Sequence, residues 1–397
     1  MTNQDRSAPA HPSKLMSSAF AGMFVFGIVM AVLGAILSSL FEKIGFREGA
    51  AGNLFLYMNF AMLIMTVFFG PIVDRFGFKA LLIACSLLVA VSFLLLAGAS
   101  TYPALVLAVM VLGFGGGGLN GGTNALTSDI NEGARRGPAL NILGIFFGFG
   151  ALTIPFLIGT LLKALGLGRI LVLATLLSLV PLALFALFRF PKAKQAQGFP
   201  LKQAARVVRN PLLWLCGLLL FFQSGNEFTA GGWISTYLQK TFGVSPSAAA
   251  LVLAGYWAAV MAGRLFSARF AKALHGEKLV FLSAGLALAA AVLLAVSPSG
   301  APAMAGAVLL GLGFSAIYPT TLAIVGENFS SFTGTAFSVV ISVGLCGGMI
   351  APWLVGRIAQ SSGLRQGLLV PVFNCAMILV LLAFIGRALK KPGTPAA

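Results

Sequence analysis

The sequence predicts an all-α membrane protein in which twelve transmembrane helices form two pseudo-symmetric six-helix bundles. Hydrophobic residues make up 59% of the 397 residues and charged residues only 9%, against about 25% in a typical soluble domain. A chain with so much apolar surface cannot bury it in one aqueous core, so lipid must surround it. The net charge of +17 does not indicate a nucleic-acid partner, because nearly all basic residues lie between apolar runs.

Twelve apolar runs, numbered here as spans 1 to 12, follow a polar N-terminal tail. Each run has roughly 20 residues or more, which is enough to cross the hydrocarbon layer as a helix. The runs cover residues 16–40, 51–70, 79–99, 103–128, 138–163, 168–190, 211–239, 247–270, 279–297, 301–326, 333–360 and 366–389. The predicted domains are a cytoplasmic tail at 1–15, a six-helix bundle at 16–190, a basic cytoplasmic linker at 191–210, a second six-helix bundle at 211–389 and a cytoplasmic tail at 390–397.

Short segments of the first half recur in the second half at a nearly constant distance. PFLIG at 155–159 in span 5 corresponds to PWLVG at 352–356 in span 11, 197 positions later. GFG at 113–115 in span 4 corresponds to GLG at 311–313 in span 10, 198 positions later. Because each half has an even number of helices, the halves are parallel and related by an axis along the membrane normal. A ligand site is therefore expected at their interface, near the middle of the membrane.

The distribution of Lys and Arg predicts that both termini face the cytoplasm, in a cell inner membrane. With this orientation, 19 of the 26 basic residues lie on the cytoplasmic side, as the positive-inside rule requires. The seven on the opposite side are Lys43, Arg47, Lys163, Arg169, Lys240, Arg357 and Arg365. The basic linker is expected to lie along the inner surface, either as a plain topology signal or in contact with anionic lipids.

Span 7 carries a polar cluster, Gln223, Asn226 and Glu227, inside an apolar run. Glu227 is the only charged residue between Arg209 and Lys240. A carboxylate near the middle of a span costs about 2.5–3.5 kcal/mol on insertion scales, so it needs a partner, a proton or water. Gln223 and Glu227 are four residues apart and share a helix face, with Asn226 beside them. The cluster is predicted to be the core of a transport site; the alternative is a carboxyl that only bonds a neighbouring helix.

Span 4 has a polar stripe, because Asn120, Thr123, Asn124 and Thr127 follow one another at helical spacing. This stripe either lines a cavity or joins neighbouring helices by hydrogen bonds, and the sequence leaves both interpretations open. Its neutral amides and hydroxyls suit a polyhydroxylated ligand, which Asn120 and Asn124 would bind.

Three aromatic residues are further candidates for ligand contact. Tyr318 in span 10, and Tyr256 and Trp257 in span 8, can each present a ring face to a sugar, although packing is the alternative for each. Arg264 in span 8 lies nearer the cytoplasmic end, where a structural ion pair is expected in preference to contact with the ligand.

The loop after span 2 reads GPIVDRFGFK at residues 70–79. Gly70 permits close helix approach, Asp74 can pair with a helix N-terminus or a cation, and Gly77 can make the turn. The segment matches the G-x-x-x-D-R-x-G signature of the major facilitator superfamily, which the chain resembles. That resemblance implies the twelve-helix fold of the family and a loop that latches the cytoplasmic gate, with Gly70, Asp74, Arg75 and Gly77 as gating residues.

Three segments resemble the fucose–proton symporter family in particular. They are GNEFTAGGWI at 225–234, SAIYPT at 315–320 and NGGTN at 120–124. The chain departs from that family at Asn120, where the symporter has an acid, and span 1 also lacks an acid that the symporter carries. The resemblance implies a sugar as substrate, whereas proton coupling through those two positions is unavailable. Glu227 remains as the candidate proton-coupling residue.

These observations predict a secondary active transporter that moves a small polar solute, in the first place a monosaccharide, by alternating access. An exporter of amphipathic compounds and an uncoupled sugar facilitator are the alternatives. An enzyme is not expected, because the spans hold no nucleophile–base pair and no set of metal ligands at one depth. A receptor would carry a sizeable extramembrane domain. We expect a monomer without cofactor, metal or nucleic-acid partner, with the solute, protons and lipid as its partners.

The predicted orientation can be tested by labelling. In a variant without native cysteines, Gly198→Cys should react only from the cytoplasm and Lys43→Cys only from the periplasm, because the basic linker stays inside. A membrane-impermeant maleimide applied to intact cells measures both reactions. Labelling of position 198 from outside would contradict the orientation.

Overall fold

A computed structural model of the chain describes residues 12–131, 136–190, 209–270, 276–329 and 333–389. Every regular element in these ranges is an α-helix, as the apolar runs predict. The helices of the first half are Pro12–Ile44, Glu48–Gly98, Tyr102–Ile130 and Arg136–Leu187. Those of the second half are Pro211–Phe242, Pro246–Phe270, Gly276–Val296, Gly300–Phe314, Ile317–Asn328, Thr333–Ser362, Leu364–Gly367 and Leu369–Leu389.

Two of these helices each contain two predicted spans. Glu48–Gly98 includes spans 2 and 3, and the helical path turns at Gly77, whose φ of 79° and ψ of 165° are not helical. Arg136–Leu187 includes spans 5 and 6 and turns in the same way at Gly166, with φ 73° and ψ 163°. A positive φ is accessible to glycine at little cost because it has no Cβ. The chain therefore reverses within one residue where the sequence predicts a longer loop.

Ten helical ranges within the described residues are long and apolar enough to cross a membrane. They account for eleven predicted spans, because Ala139–Leu187 contains both span 5 and span 6. The remaining span 7 is the helix Pro211–Phe242, which has 32 residues and carries the polar cluster around Glu227. The chain is thus a multi-pass membrane protein of the predicted fold class. The boundaries of the tails and the linker fall largely outside the described residues and stay predictions.

The internal repeat extends to the contacts between helices. A Cβ added to Gly113 in span 4 would overlap the carbonyl oxygen of Met58 in span 2. A Cβ added to Gly311 in span 10 would overlap the carbonyl oxygen of Tyr256 in span 8. Both members of the second pair lie 198 positions after those of the first. Close approach of backbones at small residues is typical of helix packing in lipid, and here each half uses it at the same positions.

The repeated PxxxG segments also have equivalent roles, because each packs against a helix of the other half of the protein. Gly159, at the end of PFLIG, packs against Leu251 and the carbonyl of Ser247 at the start of span 8. Gly356, at the end of PWLVG, packs against Gly52 at the start of span 2. Spans 5 and 11 therefore form the lateral contacts between the two bundles.

The halves meet closely at the face that holds the loop between spans 1 and 2, called here the first-loop face. A Cβ at Gly34 in span 1 would overlap the carbonyl oxygen of Gly231 in span 7 and lie 2.7 Å from the Cα of Gly232. One turn further towards this face, the hydroxyls of Ser38 and Thr236 are 3.3 Å apart. Spans 1 and 7 thus cross in backbone contact, which leaves no passage between them.

Polar contacts between the halves complete the closure of the first-loop face. Lys240 Nζ lies 2.6 Å from Glu48 Oε1 and 3.9 Å from the centre of the Phe41 ring. The indole nitrogen of Trp353 in span 11 donates a 3.0 Å hydrogen bond to Asn53 Oδ1 in span 2. An ion pair at a water-exposed surface contributes about 1 kcal/mol or less, so these contacts can form and break during a conformational cycle.

Gly34→Val should prevent the first-loop face from closing, because its side chain would overlap the backbone of span 7. Overpacking of a close contact costs about 1–3 kcal/mol, which corresponds to a shift in population of about 5-fold to 150-fold. Spin labels on Glu42→Cys and Ser245→Cys, in a cysteine-free background, would report longer distances across this face. Gly285→Val is the matched control, since nothing lies within 4 Å of a Cβ at Gly285. Equal distance distributions for the two valine variants would contradict this prediction.

Candidate functional site

The side chains of Gln223 and Glu227 lie together on span 7, as their spacing predicts. Gln223 Nε2 donates a 2.9 Å hydrogen bond to Glu227 Oε1 and a 3.3 Å hydrogen bond to the carbonyl oxygen of Phe314 in span 10. Gln223 is fully buried, whereas Glu227 is half-buried. The amide therefore holds the carboxylate in one orientation and leaves part of it accessible.

The partner carbonyl on span 10 is available because that span is broken. Its helix stops at Phe314, resumes at Ile317 and has a turn at residues 315–316. Pro319 lies in the first turn of the second segment, and its lack of an N–H removes one backbone hydrogen bond. Breaks of this kind are tolerated at membrane depth only where protein groups or water satisfy the backbone. Gln223 supplies such a group here.

Three further side chains contribute to the electrostatic surroundings of Glu227. The charge of Arg264 in span 8 acts on Glu227, and the charges of Glu227 and Arg264 both act on the hydroxyls of Tyr256 and Tyr318. Tyr256 is fully buried and Tyr318 half-buried. The structure thus brings spans 7, 8 and 10 together around one carboxylate.

The sequence predicts a structural ion pair for Arg264. Within the described part of the chain, no carboxylate lies within 4 Å of its guanidinium. Its Cζ instead lies 5.8 Å from the centre of the Phe147 ring in span 5, so Arg264 reaches the other half of the protein. A sequence signal existed, since Arg264 comes seven residues after Trp257 and therefore shares its helix face.

Trp257 lines the same space between the halves. Its ring contacts Phe147 edge to face, with centroids 6.0 Å apart, and packs against the ring of Tyr256 at 5.1 Å. The sequence leaves ligand contact and core packing both open for this tryptophan. Its position between spans 5 and 7 follows only from the packing of the bundles.

Several buried polar atoms of spans 7 and 8 have no hydrogen-bond partner within the described part of the chain. They are Gln223 Oε1, the hydroxyl of Tyr256, the indole Nε1 of Trp257 and Arg264 Nε. A buried polar atom without a partner costs about 1–3 kcal/mol, and native proteins contain few of them. Together with the carboxylate of Glu227, these atoms make spans 7 and 8 the candidate site for a polar molecule.

Asn226 does not join this cluster. Its Nδ2 lies 3.4 Å from the sulfur of Cys375 in span 12, on a different side of span 7 from Glu227. The side chain is fully buried, so the structure places it between helices of the second half. Contact of Asn226 with a ligand stays a prediction that this position does not support.

Asn120 and Asn124 form a pair on span 4. Asn124 Nδ2 donates to the backbone oxygen of Asn120 at 2.9 Å and to its Oδ1 at 3.0 Å. Both side chains are half-buried, whereas Thr123 packs inside the first half and donates to the carbonyl of Leu119. Asn120 lies 198 positions before Tyr318, so the repeat places these two residues at equivalent points of spans 4 and 10.

The surroundings of Gly70 and Asp74 in the predicted gating loop lie outside what the structure describes. Gly77 makes the predicted turn. Arg75 is exposed and has its Cζ 5.3 Å from the centre of the Phe76 ring. Lys79 Nζ donates to the carbonyl oxygens of Ala186 at 2.7 Å and Phe188 at 3.2 Å, which ties the loop to the end of span 6. The gating roles themselves stay predictions.

A separate groove of about 470 Å³ lies between spans 7, 11 and 12. Its walls are almost entirely apolar and include Phe221, Leu354 and Phe373, of which the last two are exposed. It opens on the outer surface of one bundle, away from the groups around Glu227, and we do not assign the transport site to it.

Comparison with known proteins agrees with this architecture. The family model described as Major Facilitator Superfamily matches residues 19–226 and 213–397. The chain is 25% identical over 409 residues to protein TsgA of Escherichia coli O157:H7, which covers 98% of each chain. It superposes on a D-xylose–proton symporter with a TM-score of 0.78 and 16% identity, over 94% of this chain and 97% of the other. For the fucose–proton symporter FucP of E. coli, the TM-score is 0.67 and the identity 16%, over 93% and 98% of the two chains.

The predicted family is therefore confirmed by the sequence match, and the predicted fold by the structural likeness. The relatives and the fold are those of transporters and not of enzymes. The chain belongs to the Major Facilitator Superfamily.

Proposed function

We propose that this transporter carries a polyhydroxylated solute of monosaccharide size across the cell inner membrane by alternating access, coupled to protons through Glu227. The observation that carries the proposal is the half-buried carboxylate of Glu227, held by Gln223 at a pair of spans whose described residues include buried polar atoms without partners. The titles of two structural neighbours name xylose–proton and fucose–proton symporters, which supports a sugar-like ligand.

The proposed ligand would lie between the halves and contact both. In the second half, Gln223 Oε1 and the Glu227 carboxylate accept hydrogen bonds, and the Tyr256 hydroxyl can donate or accept one. In the first half, Asn120 and Asn124 offer amides at the point that the repeat makes equivalent to Tyr318. A sugar, with hydroxyls that both donate and accept, can satisfy such a mixed set.

Proton coupling is assigned to Glu227 because of its depth in the membrane. Among the described acids, Glu42, Glu48, Asp129 and Glu327 lie near helix ends, whereas Glu227 lies in the middle of span 7. Ionisable groups at that depth are characteristic of proton relays in transporters. The hydrogen bond from Gln223 favours the ionised carboxylate, and closing the site around it favours the protonated one.

The alternating-access part of the proposal draws on the interface between the halves. At the first-loop face, the halves are joined by backbone contact and by Lys240–Glu48 and Trp353–Asn53 bonds. A second state would separate these contacts and close the opposite face. Equivalent glycine contacts within each half let the bundles move as rigid bodies, as repeats related by an axis along the membrane normal do.

Two other functions are alternatives to this one. An exporter of amphipathic compounds would favour an apolar, aromatic cavity over amides and a carboxylate. An uncoupled facilitator would use Glu227 only as a hydrogen-bond acceptor. The cytoplasmic position of both termini and a monomeric state belong to the proposal as sequence-based predictions.

Asn120→Ala and Asn124→Ala should each weaken sugar binding without disturbing the fold. Loss of a partner for a buried hydroxyl costs about 1–3 kcal/mol, or one to two decades in Kd. Titration of purified protein with the sugar identified by counterflow measures this change. Thr153→Ala is the control, since that hydroxyl bonds only its own helix on an exposed surface. Unchanged affinity in both asparagine variants would assign the pair to helix packing.

Glu227→Gln should separate transport from accumulation. Glutamine keeps the shape and much of the hydrogen bonding of glutamate but cannot ionise. In proteoliposomes, this variant should still exchange sugar across the membrane, yet it should neither accumulate sugar against a gradient nor acidify the lumen. Ser235→Ala, on the same helix, should keep both activities. If the wild-type protein moves sugar without any proton flux, Glu227 has no role in coupling, and only its role in binding stands.

A further inference from the structure

We infer that the ligand of this site is an acidic sugar, a monosaccharide whose carboxylate pairs with Arg264 while its hydroxyls bond Gln223 and Glu227. This inference rests on the proposed function and narrows its substrate class. It assigns Arg264 a role in specificity that neither the sequence motifs nor the neighbouring folds indicate.

The first argument is the unpaired charge of Arg264. The described residues provide no carboxylate within 4 Å of the guanidinium, and its Nε is buried without a hydrogen-bond partner. A charge held inside a membrane protein is costly unless a counter-charge or water meets it. The Phe147 ring at 5.8 Å supplies a weak cation–π contact only. The guanidinium is therefore free to take an anionic group in two-point contact.

The second argument is the kind of polar atom that lacks a partner near Arg264. The indole nitrogen of Trp257 and Arg264 Nε can only donate, and the hydroxyl of Tyr256 can donate. Trp257 and Arg264 both contact Phe147, so the two side chains lie on the same side of span 8, at the boundary between the halves. This side of the site requires a ligand rich in acceptor oxygens.

The third argument is that the polar atoms left for a ligand on span 7 are acceptors, whereas those on span 8 can donate. Gln223 uses its Nε2 on Glu227 and Phe314, which leaves Gln223 Oε1 and the carboxylate as acceptors. They require donor groups, which sugar hydroxyls provide. A molecule with a carboxylate at one end and hydroxyls at the other satisfies both sides, whereas a neutral sugar brings no group that pairs with the guanidinium at contact distance.

Charge balance is consistent with the same assignment. Glu227 and Arg264 together contribute no net charge, so an anionic ligand alone would leave an excess negative charge in the membrane interior. A proton carried on Glu227 would restore neutrality. Entry of the acidic sugar and of one proton would then be favourable together and costly separately, which links the specificity to the proposed coupling.

An amino sugar is the competing ligand, because its ammonium group would pair with Glu227. It would place a second positive charge beside Arg264 and leave the Trp257 and Arg264 donors without acceptors. We therefore favour the acid and treat the amino sugar as an outcome of the test.

The test uses purified full-length protein and two sets of three sugars by titration calorimetry. The sets are glucuronate, glucose and glucosamine, and galacturonate, galactose and galactosamine, at constant pH and ionic strength. We expect at least one acid to bind about tenfold or more tightly than its neutral and amino counterparts. Arg264→Met should abolish that preference, whereas Arg264→Lys should retain part of it.

The outcomes separate this inference from the proposed function. Size-exclusion profiles and Tm of both Arg264 variants control for misfolding, and the lysine variant preserves the test if the methionine variant does not fold. Neutral or amino sugars that bind as tightly as the acids, or an acid preference that survives Arg264→Met, would overturn the acidic sugar while the sugar transporter stands. If no sugar of either set binds or shows counterflow in proteoliposomes, the proposed function fails as well.

Discussion

The hydrocarbon around the helices forces every polar group at membrane depth to find its partner inside the protein. Gln223 meets this requirement for two groups, since it donates to Glu227 and to the carbonyl of Phe314 at the break in span 10. The amide of Gln223 therefore links the break in span 10 to the acid on span 7. Among the polar atoms that remain without a partner in the described residues, Gln223 Oε1 and Arg264 Nε belong to the candidate site.

The repeat gives the protein its scaffold but not its chemistry. Gly113 and Gly311 receive the backbones of equivalent helices, so both bundles have the same internal packing. The charged groups, in contrast, belong to one half. Glu227 corresponds to Met30 at an offset of 197, and Arg264 corresponds to Thr66 at an offset of 198. The first half contributes neutral amides instead, so a ligand between the halves would meet charge on one side only.

Close backbone packing also explains how the first-loop face can be closed in this structure and still open in the proposed cycle. At the first-loop face, Gly34 and Gly231 allow spans 1 and 7 to touch, and small hydroxyls, one ion pair and one indole bond add polar contacts around them. Beside them, the buried rings of Phe55 in span 2 and Trp233 in span 7 lie with their centroids 6.0 Å apart. The exposed polar bonds add little stability of their own, which suits the separation of this surface in the proposed transport cycle.

The sequence by itself determined the membrane class, the number of spans, the repeat and the pairing of Gln223 with Glu227. These features depend on composition, on run length and on neighbours four residues apart, which are local properties of the chain. The tertiary structure decided which residues from different spans meet. It brought Arg264 and Trp257 to Glu227 and Phe147, turned Asn226 towards Cys375, and reversed the chain at Gly77 and Gly166 without longer loops. Contacts between residues tens or hundreds of positions apart depend on how the bundles pack, and no local pattern in one sequence specifies that packing.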